Sequence, residues 1–224
     1  MSTRVAFYRG LVLGEGLNKP EKVSIPLQSV ESVPAMSSSV TTLRTRGGAS
    51  EYRVKFETRL WKNSAESRRD FQIRRIAFMK SIRKVAAYVP GSYALFGTLL
   101  FIEDAATDIQ TAAASISAGL AVTITLSGEH NFTVGDWVAI YDPATQVHDV
   151  AEVTLVAGAT IKASQVDNNY SAGVAVARVL WGIRNALPVS LPEIQGDEPG
   201  QIVASPNLPF EFVSVEEPFG KGIP

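Results

Sequence analysis

Along Tyr52–Trp61 apolar and polar residues alternate: Tyr52, Val54, Phe56, Thr58 and Leu60 share one face, and Arg53, Lys55, Glu57 and Arg59 the other. A period of two predicts a strand with one wet face. Val40–Arg46 precedes it, and Gly47-Gly48 between them predicts a hairpin turn. Upstream, Val23, Ile25 and Leu27 alternate within Lys22–Val33, but Pro26 lies inside the run and restricts it to a sheet edge. Residues 1–22 read as an arm or an extended edge segment. The pattern changes to a helical one over 64–85, with Asn63 as N-cap and Glu66 as its partner. At 100° per residue Phe71, Phe78, Ile82 and Val85 form the core stripe. Pro90-Gly91 ends the helix, and Ser92–Ile102 is apolar enough to be a strand buried on both faces.

After Glu103-Asp104 the texture changes again. Ala105–Ala118 is rich in Ala, Thr, Ser and Gln and reads as a linker or a weak first strand. Short strands then recur about every ten residues, as in small barrels and sandwiches. They are Leu120–Leu126, Phe132–Tyr141, Val147–Val156, Thr160–Ala163 and Gly173–Leu180. Ser127-Gly128, Asp142-Pro143, Ala157-Gly158 and Asn168-Asn169 separate them as turns. Beyond Trp181-Gly182, the runs Ala186–Val189, Gln201–Ala204 and Pro209–Val215 lack partners in that set and are expected to return to the first module. The expected fold is mainly β: a sandwich or split barrel with one α-helix from 1–104 plus 181–224, and a small OB- or SH3-like β-barrel inserted at 105–180.

Composition narrows the function. The chain has 224 residues, 46% hydrophobic, and no cysteine, so disulfides, thiolate metal sites and thiol nucleophiles are excluded. Met1–Gly10 lacks the apolar run of a signal peptide, and Tyr93–Ile102 is far short of the ~20 residues that cross a bilayer. The expectation is a soluble protein assembled in a reducing cytoplasm, with no membrane partner. Net charge is −1, yet residues 1–100 hold 17 Lys/Arg against 7 Asp/Glu, and residues 101–224 hold 4 against 15. Such polarity means either that the halves neutralise each other or that copies meet head to tail.

No catalytic constellation stands out. His130 and His148, the only imidazoles, have no metal-ligand spacing and read as surface residues. Asp136, Asp142, Asp149, Glu152, Asp197 and Glu198 read as scattered surface acids. No phosphate-binding loop, dinucleotide fingerprint or nucleophile elbow occurs. The expectation is therefore no enzyme, no cofactor and no metal. Arg68, Arg69, Arg74, Arg75, Lys80, Arg83 and Lys84 put seven cations into 17 residues of the helix. This face is either solvated, an interface for a neighbouring subunit or partner, or a phosphate contact. A net −5 over residues 105–180 disfavours polyanions for the barrel. Trp137 and Tyr141 share a strand face and are candidates for a sugar or partner contact, with core packing as the alternative.

The order strand, Gly-Gly turn, Tyr52–Trp61, capped helix and apolar strand resembles the N-terminal belt module of distal tail proteins of long-tailed bacteriophages. The run from Phe132 through Gly135-Asp136-Trp137 to Tyr141-Asp142, then Val150–Val153, Thr160-Ile161 and Asn169–Gly173, is similar to the small barrel inserted in several tail-tip proteins. The resemblance implies a structural virion protein of the tail tip or baseplate. It would form a homo-oligomeric ring, often a hexamer, between tail tube protein and tail-tip hub, with a channel through which DNA passes without sequence-specific binding. The other readings are a tube- or terminator-like virion ring protein and a carbohydrate-binding module using Trp137 and Tyr141.

Overall fold

The computed structural model describes residues 3–13, 31–32, 39–44, 50–59, 67–70, 72–73, 76, 94–103, 107–142, 144–145, 147–190 and 208–223. The protein is mainly β. In chain order the strands are β1 (Thr3–Leu13), β2 (Glu31–Ser32), β3 (Ser39–Arg44), β4 (Ser50–Arg59), β5 (Ala94–Glu103), β6 (Ile109–Thr111) and β7 (Gly119–Thr125). They continue with β8 (Trp137–Asp142), β9 (Val147–Ala157), β10 (Thr160–Val166), β11 (Ala175–Ser190), β12 (Leu208–Ser214) and β13 (Phe219–Gly220). Two compact units emerge. One comprises 3–99 with 183–218, the other 100–182 with Phe219–Ile223. The sequence reading places everything after 181 in the first module, whereas Phe219–Ile223 lies in the unit of 100–182.

In the unit of 3–99 and 183–218, the alternation of 52–60 is realised in β4. Val54 and Phe56 are buried, and Lys55 between them is exposed. β3 and β4 pair as the expected hairpin, Arg44 opposite Ser50. On its other side β4 takes β12, from Leu208↔Thr58 to Ser214↔Tyr52. This register sets Phe210 opposite Phe56, and the rings stack at 4.9 Å with 1° between planes, while Phe212 lies 6.0 Å from Phe56. Each buried ring contributes about 2–3 kcal/mol by area, and each stack about 0.5–1.5 kcal/mol more. On the wet face Glu211 meets Arg53 at 3.0 Å and Lys55 at 3.8 Å. One acid of the negative half thus neutralises two bases of the positive half within the chain.

Residues 1–22 are not simply an arm: Thr3–Leu13 is an 11-residue strand paired with β2. Val5, Phe7, Leu11 and Leu13 supply the alternation behind it. Of Lys22–Val33 only Glu31 and Ser32 are described. The helix begins at Arg68, and Ser67 caps it in place of Asn63. The Asp70 N–H donates to Ser67 Oγ at 3.1 Å, and the Ser67 hydroxyl donates to Asp70 Oδ2 at 2.6 Å. Ser-x-x-Asp therefore closes the first turn reciprocally. Asn63, Glu66, Phe71, Phe78, Ile82, Val85, Pro90-Gly91 and Gln201–Ala204 lie outside the described residues. In β5, Leu99, Leu100, Phe101 and Ile102 are all buried, as a two-sided apolar strand requires.

In the unit of 100–182, pairing runs β6–β11–β8–β9–β10–β7. It returns to the first strand through the Ala112↔Leu126 bridge, where the Ser127 N–H donates to the Thr111 carbonyl at 2.9 Å. The stretch read as a linker or weak strand supplies β6, so six strands replace the five expected. Val138 and Ile140 of β8, Ala151 and Val153 of β9, Ile161 and Ala163 of β10 and Val176 of β11 point inward to one apolar core. Alternate residues face outward. Two boundaries differ from the sequence reading. Phe132–Asp136 is not strand, because a turn with Gly135 at φ +82° precedes Trp137. The chain also does not break at Trp181-Gly182: β11 continues to Ser190, and Asn185 absorbs a local irregularity at φ +47°. Asn tolerates that left-handed region better than other non-glycine residues.

Candidate functional site

The turn that interrupts the expected strand is the most organised polar place in the described structure. It folds because Asp136 closes it twice. The Thr133 N–H donates to Asp136 Oδ2 at 2.7 Å, and the Asp136 N–H donates to the Thr133 carbonyl at 3.0 Å. β9 fixes it from outside: the Gly135 N–H donates to the Val153 carbonyl at 2.8 Å, and the Val153 N–H to the Asp136 carbonyl at 2.7 Å. Asp136 is only 4% exposed.

Cations stabilise that buried carboxylate. Lys221 Nζ lies 2.7 Å from Asp136 Oδ1 and also donates to Thr133 Oγ1 and the Val134 carbonyl, each at 3.2 Å. Arg178 Nε is 3.6 Å from Asp136 Oδ2, and Arg178 Nη1 donates to Asp108 Oδ1 at 3.0 Å. Asp108 is 3% exposed. Asp108, Arg178, Asp136 and Lys221 thus form an alternating chain of two acids and two bases. Burial of Asp136 opposes its charge, but the Lys221 ammonium, the Thr133 N–H and Arg178 outweigh it and hold the carboxyl below the usual aspartate value.

The segment carrying Lys221 is fitted closely. Phe219 and Gly220 pair with Gly182 and Trp181, and the Gly222 N–H donates to the Leu180 carbonyl at 2.9 Å. Gly220 has φ +106°, and a Cβ there would stand 2.5 Å from the Leu180 oxygen, so only glycine fits. Phe219 packs against Trp137, with ring centroids 4.6 Å apart and planes tilted by 44°.

This places the sequence candidates. Trp137 and Tyr141 share the outer face of β8 and both are half-buried, and Phe219 covers Trp137. Arg68 and Arg69 are exposed on the first helical turn. Arg74, Arg75, Lys80, Arg83 and Lys84, with Asp197 and Glu198, lie outside the described residues. Asp149 is no scattered surface acid. Its Oδ2 accepts from the Asp167 N–H at 3.1 Å, the Asn168 N–H at 3.0 Å and the Tyr170 hydroxyl at 2.9 Å, while Oδ1 accepts from Asn168 Nδ2 at 3.0 Å. That carboxylate folds the 167–170 loop. Burial and the neighbouring Asp149 charge push the Tyr170 phenol above the usual tyrosine range. Asp142 caps its own turn, accepting from the Ala144 N–H and the Thr145 hydroxyl at 2.8 Å each, and these bonds hold its carboxyl low. Glu152 is exposed on β9.

His130 is not a plain surface residue either. Its Nδ1 accepts from the Phe132 N–H at 3.2 Å, which leaves Nε2 to donate to the Gly158 carbonyl at 3.0 Å, and the ring stacks on Phe132. It bridges two loops beside an open hollow of about 420 Å³ lined by Thr107, Ser127, Glu129 and Asn131 among others. His148 is half-buried on β9, opposite Tyr141. Among the described residues no three His, Asp or Glu side chains converge as a metal site would require. Nor is any described helix long and apolar enough to cross a membrane. Asp149 holds the 167–170 loop, and Asp136 holds its own turn and the Lys221 ammonium group.

Sequence reasoning missed Lys221 and Phe219 entirely. The signal was the Phe-Gly-Lys-Gly phrase at 219–222, whose glycines flank a cation. No known protein family matches this chain, and no curated protein sequence matches it.

Proposed function

We propose that this chain is a structural assembly protein of a phage tail tip, which forms a ring between tail tube and tail-tip hub and leaves a channel for DNA. The observation that carries the reading is the chain order. A closed circuit of strands at 100–182, read here as the inserted small barrel, interrupts a β unit made of 3–99 and 183–218. A belt with an inserted barrel has this layout. Charge polarity adds support, because opposite patches on one chain suit a closed heterologous ring. Part of that polarity is used internally at Glu211, but the arginines described on the helix remain exposed. The carbohydrate-binding alternative loses ground, since Phe219 occupies one approach to Trp137.

A charge reversal on the basic helix tests this. Arg69→Glu, Lys80→Glu and Arg83→Glu together replace attraction by repulsion. Each exposed pair is worth only about 0–1 kcal/mol, so three changes are needed. The variant is expected to keep the parent's circular dichroism and to lose assembly. Assembly equal to the parent's at both low and high salt would mean that the polarity serves internal neutralisation alone.

A further inference from the structure

The bonds that shape the turn at 133–136 are separate from those it makes to the strap at 219–223. The turn's shape depends on bonds among Thr133, Gly135, Asp136 and Val153, none of which involves that segment. Its charge, however, is incomplete. Among the described residues, and without Lys221, the buried cluster holds two carboxylates, Asp108 and Asp136, against one guanidinium, Arg178. An unmatched charge on a residue 4% exposed is costly, so the turn is a receptor for a cation. Three acceptors around Nζ, namely Asp136 Oδ1, Thr133 Oγ1 and the Val134 carbonyl, match the three protons of a primary ammonium group. Trp137 beside them adds an aromatic contact two residues before the lysine, and the β11 edge at Leu180–Gly182 accepts an extended backbone. These features fit an extended aromatic-Gly-Lys segment such as Phe219–Lys221.

The chain's own strap fills this receptor through a small contact. Its ladder with β11 has two residues, and Lys221 is 57% exposed at the side chain. Upstream, Glu216 is tied to Ser214 and Asn185. Only Glu217 and Pro218 join that anchor to the strap, and Val215 just before it is 73% exposed. A hinge of only two residues next to a small docking element leaves little slack, and short hinges invite exchange between identical chains. We infer that the 133–137 receptor is an intersubunit site, taking Phe219–Lys221 from a second copy of this chain in place of its own where subunits adjoin. The inference rests on the assembly reading above. It names the contact by which one subunit holds the next: a swapped strap offers every bond of the intrachain one and adds a link between copies.

The absence of cysteine gives a direct test in the full-length protein. Val134→Cys and Ile223→Cys lie at exposed positions beside the contact and spare Lys221, Thr133 and Asp136. The two single-cysteine chains, distinguished by tags, are co-expressed and treated with a short bismaleimide. The double-cysteine chain serves as the control for reach. Exchange predicts a covalent pair containing one chain of each kind, abolished by adding Lys221→Glu to the Ile223→Cys chain. Particles that are oligomeric by light scattering yet give no mixed covalent pair would overturn the exchange and leave the assembly reading standing. A monomer with only intrachain links would overturn both.

Discussion

The Lys221 ammonium lies 2.7 Å from the carboxylate of Asp136, a residue 85 positions earlier in the chain. It is the tightest contact between the strap at 219–223 and the turn that precedes β8. Asp136 is nearly covered while Lys221 stays in water, so the two sides of the pair are unequal: the acid depends on the base.

Removing the base should therefore cost more than an ordinary surface pair. Lys221→Met is expected to lower unfolding stability by about 1–2 kcal/mol, since Arg178 still faces the carboxylate. Asp136→Ala should cost about 2–4 kcal/mol, because the Thr133 N–H also loses its acceptor. Urea unfolding checks both. The pH dependence has a definite sign. Asp136 titrates lower folded than unfolded, so its contribution is full above the unfolded value near 3.8 and fades as pH falls below it. Asp136→Asn should lack that acid-side loss.

Two glycines with left-handed backbones separate strain from collision. At Gly158 (φ +59°) a Cβ meets nothing within 4 Å, so Gly158→Ala should cost only about 1 kcal/mol of backbone strain. At Gly220 (φ +106°) it would press on the Leu180 oxygen and the Trp181 Cα at 2.5 and 2.7 Å. Gly220→Ala should unseat the strap, and thermal melts should show a clearly larger loss than for Gly158→Ala.

Tyr170→Phe removes one of four donors to Asp149 and should cost about 1–2 kcal/mol. The phenol titrates higher folded than unfolded, so its contribution is full below pH about 10 and declines above it as the unfolded chain ionises. In the parent, stability should fall on the alkaline side for this reason, and Tyr170→Phe should flatten that fall. Denaturant midpoints measured between pH 8 and 11 decide it.

What was legible in the sequence was local. Val54 and Phe56 against Lys55, and Val138 and Ile140 against Trp137 and Tyr141, follow from a period of two, although Ala139 between Val138 and Ile140 is buried as well. The missed features depend on distant partners. Asp136 looked like a surface acid because nothing near it in sequence shows that Lys221 will arrive. Asp149 looked the same because its donors come from the loop at 167–170, distant in sequence from its place on β9. Trp137 was paired with Tyr141 because they share a strand, while its ring neighbour is Phe219. In the turn, Asp136 bonding overrode the β-propensity of Phe132–Tyr141. Gly182 remained inside β11 because it is buried and paired there, where the sequence reading set a domain border.

The central claim, that this chain works as an assembled ring, is tested most directly by its mass in solution. Light scattering on the purified full-length protein at micromolar concentration should show one closed species of several 24.1 kDa chains, with ring-shaped particles in electron micrographs. A single species at the mass of one chain, unchanged by concentration and salt, would contradict it.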